Sequence, residues 1–284
     1  MADQLIRDVS DTARWVAVFR ARESSRPDAV FRDPYAARLA GERGAQIAAK
    51  MTFQDRNSWS FVARTWLFDR LLLDQIRAGA DMVINLAAGL DTRPYRLDVP
   101  PHLHWIEVDF PRLLAYKTEV LRDERPRCAL ERIPLDLADI TARRALFSRL
   151  SATRRRVVVV SEGLLIYLTR EGVASLAADL AKHDSFHVWI LDLTSPSLLR
   201  MVQKHSGPLT DAKTPLQFAP EEGPRFFEPY GWRVRHVEAV LKAAARIRRL
   251  PGVMLRVMAA LSSPQPKGNR PWSGVCVFER VPVA

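Results

Sequence analysis

Three acidic residues and one glycine follow short apolar runs of β-strand character, where a parallel sheet would open towards a ligand. Gly89 follows "MVINLA", and Asp109 is the last residue but one of "HLHWIEVDF". Asp136 is the last residue of "CALERIPLD", and Glu162 is the last but one of "RVVVVSEG". Because the carboxyl ends of parallel strands open at one edge of a sheet, these residues are expected to converge on one crevice. A carboxylate at the end of the second strand accepts hydrogen bonds from two ribose hydroxyls, so Asp109 is predicted to bind an adenosyl group.

The glycine turn "NLAAGLDTRPY" lacks the Gly-x-Gly-x-x-Gly fingerprint of dinucleotide sites. With one glycine the backbone has less room around a pyrophosphate, so a ligand without phosphates is favoured. Asp136 can offer its carboxylate to an adenine amine, and Leu137 can offer a backbone N–H to a ring nitrogen. The pattern predicts a nucleoside cofactor with an amino-acid tail, and S-adenosyl-L-methionine fits that description.

The elements that must position these residues alternate between strand and helix, which predicts an α/β fold with a mostly parallel seven-stranded sheet and helices on both faces. The predicted strands are 82–87, 102–110, 128–136, 156–163, 186–193, 231–237 and 272–281, with helical stretches at 111–123, 139–151 and 169–183.

The whole chain, 1–284, is expected to form a single domain with four parts. These are a helical cap (1–78), a cofactor-binding core (79–193), a lid-like insertion rich in Pro, Ser and Thr (194–225), and the last strands with a basic helical segment between them (226–284). Long insertions of this kind usually cover or line binding sites.

Several ordered motifs resemble the leucine carboxyl methyltransferase family. The motifs are "VINLAAGLDTRPYRL", "WIEVDFPRLLAYKTEVL", "IPLDLAD" and "VVVVSEGLLIYLTREGV". "FRARESSRPDAVFRDPYAARLAG" and "ARTWLFDRLL" are similar to the bacterial branch, which includes polyketide-type O-methyltransferases. The resemblance covers roughly residues 14–193, with a weaker echo in "EPYGWRV".

The resemblance implies a class I methyltransferase (Rossmann-like) sheet with S-adenosyl-L-methionine as methyl donor. Arg64 matches the arginine that holds the methionine carboxylate, Asp109 the ribose ligand, and Glu162 a cofactor-site glutamate. Asp136 and Leu137 match the adenine contacts.

Three further positions follow from the resemblance less directly. Arg20 or Arg22 matches a basic N-terminal cofactor contact. Ala87 replaces the first glycine of the family's usual Asn-Leu-Gly-Ala-Gly, and alanine is small enough that the close backbone approach beside Gly89 is expected to survive.

A carboxylate acceptor is already ionised near neutral pH and needs no general base, whereas a phenol benefits from one. The arginine excess and the lack of an obvious His/Asp pair favour a methyl ester on a small-molecule carboxylate. A hydroxyl or phenol, or a protein C-terminus, remains an alternative. Tyr167 is placed either in the acceptor pocket or at the core edge, and Trp15, Trp59 and Trp66 either floor the acceptor site or pack in the core.

The formal charge of +11 and the pI near 10.2 are compatible with nucleic-acid binding, small anionic substrates or a solvated arginine-rich surface. The basic residues are spread along the chain, with only short clusters at 153–157 and 246–250, so the solvated surface is preferred and no nucleic-acid partner is expected. The expected partner is a small-molecule acceptor, and the oligomeric state stays open.

No run approaches the roughly 20 apolar residues of a membrane span, and the first fifteen residues lack the apolar block of a signal peptide. Cys128 and Cys276 give neither a zinc spacing nor a disulfide framework, and the histidines carry no metal-ligand spacing. The sequence therefore predicts a cytoplasmic protein with no metal and no membrane partner.

Overall fold

Seven strands form one sheet in the computed structural model, which describes residues 9–51, 56–153, 156–205, 215–263 and 270–281. The strands are β1 (Met82–Leu86), β2 (His104–Asp109), β3 (Ala129–Pro134), β4 (Val157–Ser161), β5 (Phe186–Thr194), β6 (Trp232–Ala239) and β7 (Ser273–Arg280). Their order is β3-β2-β1-β4-β5-β7-β6. The first five strands run parallel, and β7 is antiparallel to both β5 and β6.

The central strands are apolar throughout because both of their faces are covered. Every residue of β1 and β4 is buried, which explains continuous runs such as "VVVV". The predicted α/β fold with a mostly parallel seven-stranded sheet is therefore confirmed.

Ten α-helices surround the sheet within the described residues. They are α1 (Val9–Ser24), α2 (Ala36–Lys50, kinked at Gly41), α3 (Ser58–Arg77), α4 (Arg93–Arg96), α5 (Pro111–Val120), α6 (Ile140–Ser151), α7 (Arg170–Ala181), α8 (Pro196–His205), α9 (Val240–Arg246) and α10 (Gly252–Leu261). Short 3₁₀ helices lie at Leu165–Tyr167 and Gly223–Tyr230.

Two apolar cores, one on each face, hold the sheet. Helices α6 and α7 pack on one face with Phe147 and Leu176, while α3 and α9 pack on the other with Phe68 and Ala243. The sheet edge that carries the carboxyl ends of the parallel strands is thus held rigidly between two helical layers.

The described part of the predicted helical cap consists of α1, α2 and α3. The rings of Trp15, Phe19 and Phe61 lie 5.0–5.3 Å apart, centroid to centroid, and join α1 to α3; Phe19 and Phe61 stack, and Trp15 meets both edge to face. Arg20 ties α1 to the loop after β1, since its Nη2 donates to the carbonyl oxygen of Leu90 at 2.6 Å. The cap therefore sits directly over the glycine turn.

The predicted insertion is partly described. It contains α8, while residues 206–214 lie outside the described residues, as do 154 and 155 of the basic cluster at 153–157. Residues 215–220 follow without regular structure, and Gln217 Nε2 donates to the carbonyl oxygen of Tyr167 at 2.8 Å.

Candidate active site

One cavity of about 860 Å³ opens at the carboxyl ends of the parallel strands. All seven residues predicted to bind the cofactor line it: Arg64, Ala87, Gly89, Asp109, Asp136, Leu137 and Glu162. The geometry therefore brings the whole predicted set together on one surface, although their ligand contacts stay predictions.

Asp109 is fixed by the turn that follows β1. Strands β1 and β2 pair in register, with Leu86 opposite Val108, so the turn and the carboxylate emerge side by side. The N–H of Gly89 donates to Asp109 Oδ2 at 2.6 Å, and the N–H of Phe110 donates to Oδ1 at 2.7 Å. A carboxylate has about four acceptor positions, so two remain for outside donors such as ribose hydroxyls.

Burial raises the pKa of Asp109 above its ordinary value of 3.8, against the two N–H donors, which lower it. A carboxylate that is costly to ionise in the closed cavity gains from each further hydrogen bond it accepts. The environment of Asp109 thus favours a hydroxyl-bearing ligand.

The turn reaches the cavity through left-handed backbone at two positions. Gly89 has φ +50°, and Ala87 has φ +54°, a conformation that favours glycine. Ala87 therefore adopts a conformation that glycine adopts freely, at the cost of local strain.

Asp136 and Leu137 lie at the mouth of the cavity, in the turn after β3. The N–H of Ala138 donates to Asp136 Oδ1 at 2.9 Å, and Arg143 Nη1 donates to the carbonyl oxygen of Leu137 at 3.0 Å. Both contacts shape a short exposed turn whose remaining polar edge is available to a ligand.

Arg64 and Glu162 belong to one network of charged side chains. Arg64 Nε lies 3.1 Å from Glu162 Oε1, and its Nη1 lies 3.1 Å from Asp192 Oδ2. Arg93 Nη2 lies 2.8 Å from Glu162 Oε2. Burial alone would raise the pKa of Glu162, but Arg93 and Arg64 outweigh burial and hold that pKa below its ordinary value.

Sequence reasoning missed Asp192. It sits near the end of β5, the fifth parallel strand, and its Oδ1 accepts the N–H of Gly163 at 2.7 Å. The signal was available, because Asp192 is a strand-end acid like Asp109 and Asp136.

Arg93, whose role the sequence left undecided, is a buried junction between carboxylates. Its Nε donates to Asp69 at 2.7 Å and its Nη1 to Asp91 at 3.0 Å. Asp91 also accepts the backbone N–H of Arg93 and the amide of Asn85, which matches its expected role in shaping the loop. Burial would raise the pKa of Asp91, but the charges of Arg93, Lys117 and Arg96 outweigh it and hold that pKa at about 2.

Of the two candidate N-terminal arginines, Arg20 lines the cavity and Arg22 does not. Arg20 Nε is held by Asp33 Oδ2 at 2.9 Å, so its charge is already compensated. Arg22 is exposed on α1.

The rest of the cavity is mostly apolar. Trp15, Trp59 and Phe61 of the cap face Leu198 and Met201 of α8, and Leu255 and Met258 of α10 complete the wall. Trp66, the third tryptophan considered for the acceptor site, lies outside this wall. The guanidinium carbon of Arg70 lies over its ring, 5.3 Å from the centroid. Positions 59 and 66 are nearly two turns apart on the same side of α3, so Trp66 lies about 10 Å further along the helix than Trp59.

Tyr167 lines the cavity near Arg64. Burial raises its pKa above 10.0, against a hydrogen bond with Thr12 and the charge of Arg64. Its phenol is therefore neutral at physiological pH.

Within the described residues no three His, Cys, Asp or Glu side chains form a group able to hold a metal ion. Among those residues, no helix is both long and apolar enough to cross a bilayer.

The fold and the cavity have counterparts among known proteins. The profile of the family described as leucine carboxyl methyltransferase matches residues 13–181. A Frankia alni protein, provisionally named an S-adenosyl-L-methionine-dependent methyltransferase, is 33% identical over 257 residues, which cover 84% of this chain and 88% of that protein. A Streptomyces coelicolor protein with the same provisional name is 34% identical over 186 residues, 61% of this chain and 65% of its own.

Solved structures support the fold alone. A DUF574 family protein from Streptomyces avermitilis superposes with a TM-score of 0.60 at 13% identity, over 95% of this chain and 97% of that one. A provisionally assigned methyltransferase from Thermobifida fusca gives 0.59 at 15% identity, over 99% and 97%.

The strand order and the strand-end cavity define a class I methyltransferase fold. The chain belongs to the leucine carboxyl methyltransferase family, and it is an S-adenosylmethionine-dependent methyltransferase. Membership of the polyketide-type branch stays a prediction.

The charges of the site fit that cofactor. Four carboxylates, Asp69, Asp91, Glu162 and Asp192, surround three guanidiniums, those of Arg64, Arg93 and Arg96, which leaves one net negative charge. A ligand with a cationic sulfur and an ammonium group is attracted by that excess. Arg64 lines the cavity, and its contact with the ligand's carboxylate stays a prediction.

Proposed function

We propose that this enzyme transfers the methyl group to oxygen and forms a methyl ester on the carboxylate of a small, largely apolar acid. One observation carries the proposal: the described wall of the cavity contains neither histidine nor lysine. A hydroxyl acceptor would profit from such a base, whereas a carboxylate, with a pKa of about 4, is ionised without one.

The acids of the wall are poor substitutes for a base. Glu162 is bound by two arginines, and Asp109 accepts two backbone N–H groups. Tyr167, with its raised pKa, is a neutral donor rather than a base.

In this proposal Asp109 binds the ribose, Asp136 and Leu137 bind the adenine, and Arg64 with Glu162 binds the amino-acid end. When bound, S-adenosylmethionine supplies an electrophilic methyl group on a positively charged sulfur, which attracts an anionic oxygen. The apolar side chains of α1, α8 and α10 exclude water, and opposite charges attract more strongly in such a dry site.

The acceptor class follows from the same wall. The carboxylate of the substrate would point towards the cofactor, and the rest of the substrate would fill the space between Trp15, Leu198 and Met258. Because these side chains are apolar, that part of the substrate is expected to be apolar too. Ligand cavities of about 300–1,000 Å³ accommodate drug-sized molecules, so the volume suits the cofactor together with part of a compact acid. We therefore expect aliphatic or aromatic acids as substrates, and no macromolecular acceptor.

Radiolabelled methyl transfer into pooled organic acids tests the proposal. Esters release labelled methanol on mild alkali, whereas aryl and alkyl ethers keep the label. Volatile label that depends on the enzyme supports ester formation, and alkali-stable label would favour the hydroxyl alternative. Asp109→Ala serves as the control, since it removes the predicted ribose contact and should abolish labelling.

A further inference from the structure

Helix α10 turns its apolar side towards solvent. Val253, Met254 and Leu261 are 73%, 75% and 78% exposed, and Val257 and Met258 are about half exposed. These positions recur at intervals of one, three and four residues, which places them on one face of the helix. Five of the eight large hydrophobic residues that are exposed in the described part of the chain belong to this one helix.

The opposite side of α10 holds it to the protein only lightly. Ala259 is the one buried residue of the helix, and Leu255 is partly buried against the core on the sheet face that α3 and α9 cover. An apolar face of this size is uncommon on a soluble surface unless something covers it.

This face is continuous with the active-site cavity. Met258 is both half exposed and part of the cavity wall, and Leu255 lines the cavity from the same helix. An apolar molecule resting on the outer face of α10 therefore lies at the rim of the site.

The surroundings of α10 are basic. Arg248, Arg256 and Arg270 are exposed, and none of them has a carboxylate partner among the described residues. The chain as a whole carries a formal charge of +11. An apolar stripe flanked by arginines is the pattern of helices that lie in the surface of an anionic bilayer.

We propose that α10 docks this enzyme onto an anionic lipid surface, with Val253, Met254 and Leu261 inserted among the acyl chains. A second copy of the chain is disfavoured as the occupant, because it would bring Arg256 and the surrounding positive charge against their equivalents. The proposal concerns a peripheral contact, and it differs from the expectation of no membrane partner, which rested on the lack of a spanning segment.

Docking here would let an apolar acid pass from the lipid phase to the cavity beside Met258. That consequence rests on the proposed function, whereas the docking itself does not.

Cosedimentation with vesicles tests the docking without cofactor or acceptor. The full chain is mixed with vesicles of phosphatidylcholine alone or of phosphatidylcholine with phosphatidylglycerol. We expect strong binding only to the anionic vesicles, weakened at least tenfold by Met254→Gln with Leu261→Gln. Ile140→Gln, at another exposed apolar residue, is the matched control and should bind normally.

A second pair of variants isolates the charge. Arg248→Gln with Arg256→Gln should weaken binding at least tenfold, since each arginine near such a surface strengthens binding about fivefold. Arg112→Gln with Arg125→Gln removes the same charge from exposed positions outside α10 and should have a smaller effect.

Three outcomes would overturn the proposal. The first is equal binding of the wild type to neutral and anionic vesicles, or no binding to either. The second is a dimer in analytical ultracentrifugation that the Met254/Leu261 variant dissociates, which would make a second copy the occupant. The third is a fall in Tm of several degrees in that variant without change in vesicle binding, which would mean that another part of this chain covers α10. Each outcome is independent of methyl transfer, so failure of the ester assay leaves the docking test intact.

Discussion

Arg64 and Asp192 are 128 residues apart in sequence, and Nη1 of the arginine lies 3.1 Å from Oδ2 of the aspartate. The other oxygen of Asp192 accepts the N–H of Gly163, in the loop that carries Glu162. One carboxylate therefore sets the position of the guanidinium and of the loop that presents its second partner. We expect Asp192 to act through these two groups, as a positioning residue for the proposed contacts of Arg64 and Glu162 with the amino-acid end of the cofactor.

Asp192→Asn should lower the affinity for S-adenosylmethionine about tenfold. The amide keeps an oxygen for Gly163 but presents an N–H₂ group or a neutral oxygen to Arg64, and a hydrogen bond to a charged group contributes about 1.5–3 kcal/mol. Isothermal titration measures the change, with Asp184→Asn as a control because Asp184 is almost fully exposed and far from the cavity. Equal affinities for both variants would remove Asp192 from the site.

On acidification, the affinity for the cofactor should begin to fall at a higher pH than the protonation of an ordinary aspartate would predict. Burial raises the pKa of both Asp109 and Asp192 above 3.8, so each carboxylate becomes protonated at a higher pH than an ordinary aspartate as the pH is lowered. Ionised Asp192 holds Arg64, and ionised Asp109 is proposed to accept the ribose hydroxyls, so protonation of either should weaken binding. Titrations between about pH 7 and pH 4 should show affinity already falling above the usual aspartate range. A constant affinity down to about pH 4 would contradict the assignment.

The fold was predictable because its signals are local. Runs such as "VVVV" in β4 record a strand covered on both faces, and the strand-to-helix alternation requires parallel connections. The shared cavity of Asp109, Asp136 and Glu162 was predictable for the same reason, since each follows a strand and the carboxyl ends of parallel strands lie at one edge of the sheet. Arg64 lies on α3, outside the sheet, and its place beside them was implied only by the family resemblance. The contacts of these residues with a cofactor stay predictions.

What could not be predicted depends on contacts between distant segments. The partners of Arg93 come from α3, the glycine turn and the loop after β4, and nothing near "TRPYR" announces them. Helix α10 is a different case. Its sequence "GVMLRVMAAL" is apolar on most sides, which is typical of a buried helix, and only the packing shows that one side faces solvent.

Ala87→Gly should stabilise the protein slightly. Alanine at φ +54° carries a strain of about 1–2 kcal/mol, and the added backbone entropy of glycine in the unfolded chain offsets about 0.5–1 kcal/mol of the gain. A rise in Tm of about 2 °C is expected, measured by differential scanning calorimetry. Ala88→Gly is the matched control, because Ala88 is buried and has no such strain, and it should lower Tm. A lower Tm in Ala87→Gly would show that the alanine methyl contributes packing that outweighs the strain.

Glu107, two residues before Asp109, has a structural role that substitution of its partner should expose. Lys117 Nζ lies 2.7 Å from Glu107 Oε1, and both side chains are fully buried. Lys117→Met leaves the glutamate with Arg132 alone, so we expect a loss of about 3 kcal/mol in the free energy of unfolding, measured with urea. Arg122→Met, at an exposed pair with Glu119, should change it by no more than about 0.5 kcal/mol. A small loss in Lys117→Met would mean that Arg132 compensates the glutamate on its own.

Tyr167→Phe distinguishes an ionised acceptor from one that needs deprotonation. Burial raises the pKa of Tyr167, and its hydrogen bond joins it to Thr12, so the phenol stays protonated near neutral pH and cannot act as a base. With a carboxylic acid as substrate we expect kcat within about threefold of the wild type and a kcat/KM that stays flat from about pH 6 to pH 9, because no group with a pKa in that range has to change its state. KM is the parameter that should rise, since Tyr167 lines the cavity and its hydroxyl interacts with Arg64. A kcat reduced a hundredfold or more, together with a wild-type rate that climbs with pH, would identify Tyr167 as part of a proton-removing system and make a hydroxyl the acceptor.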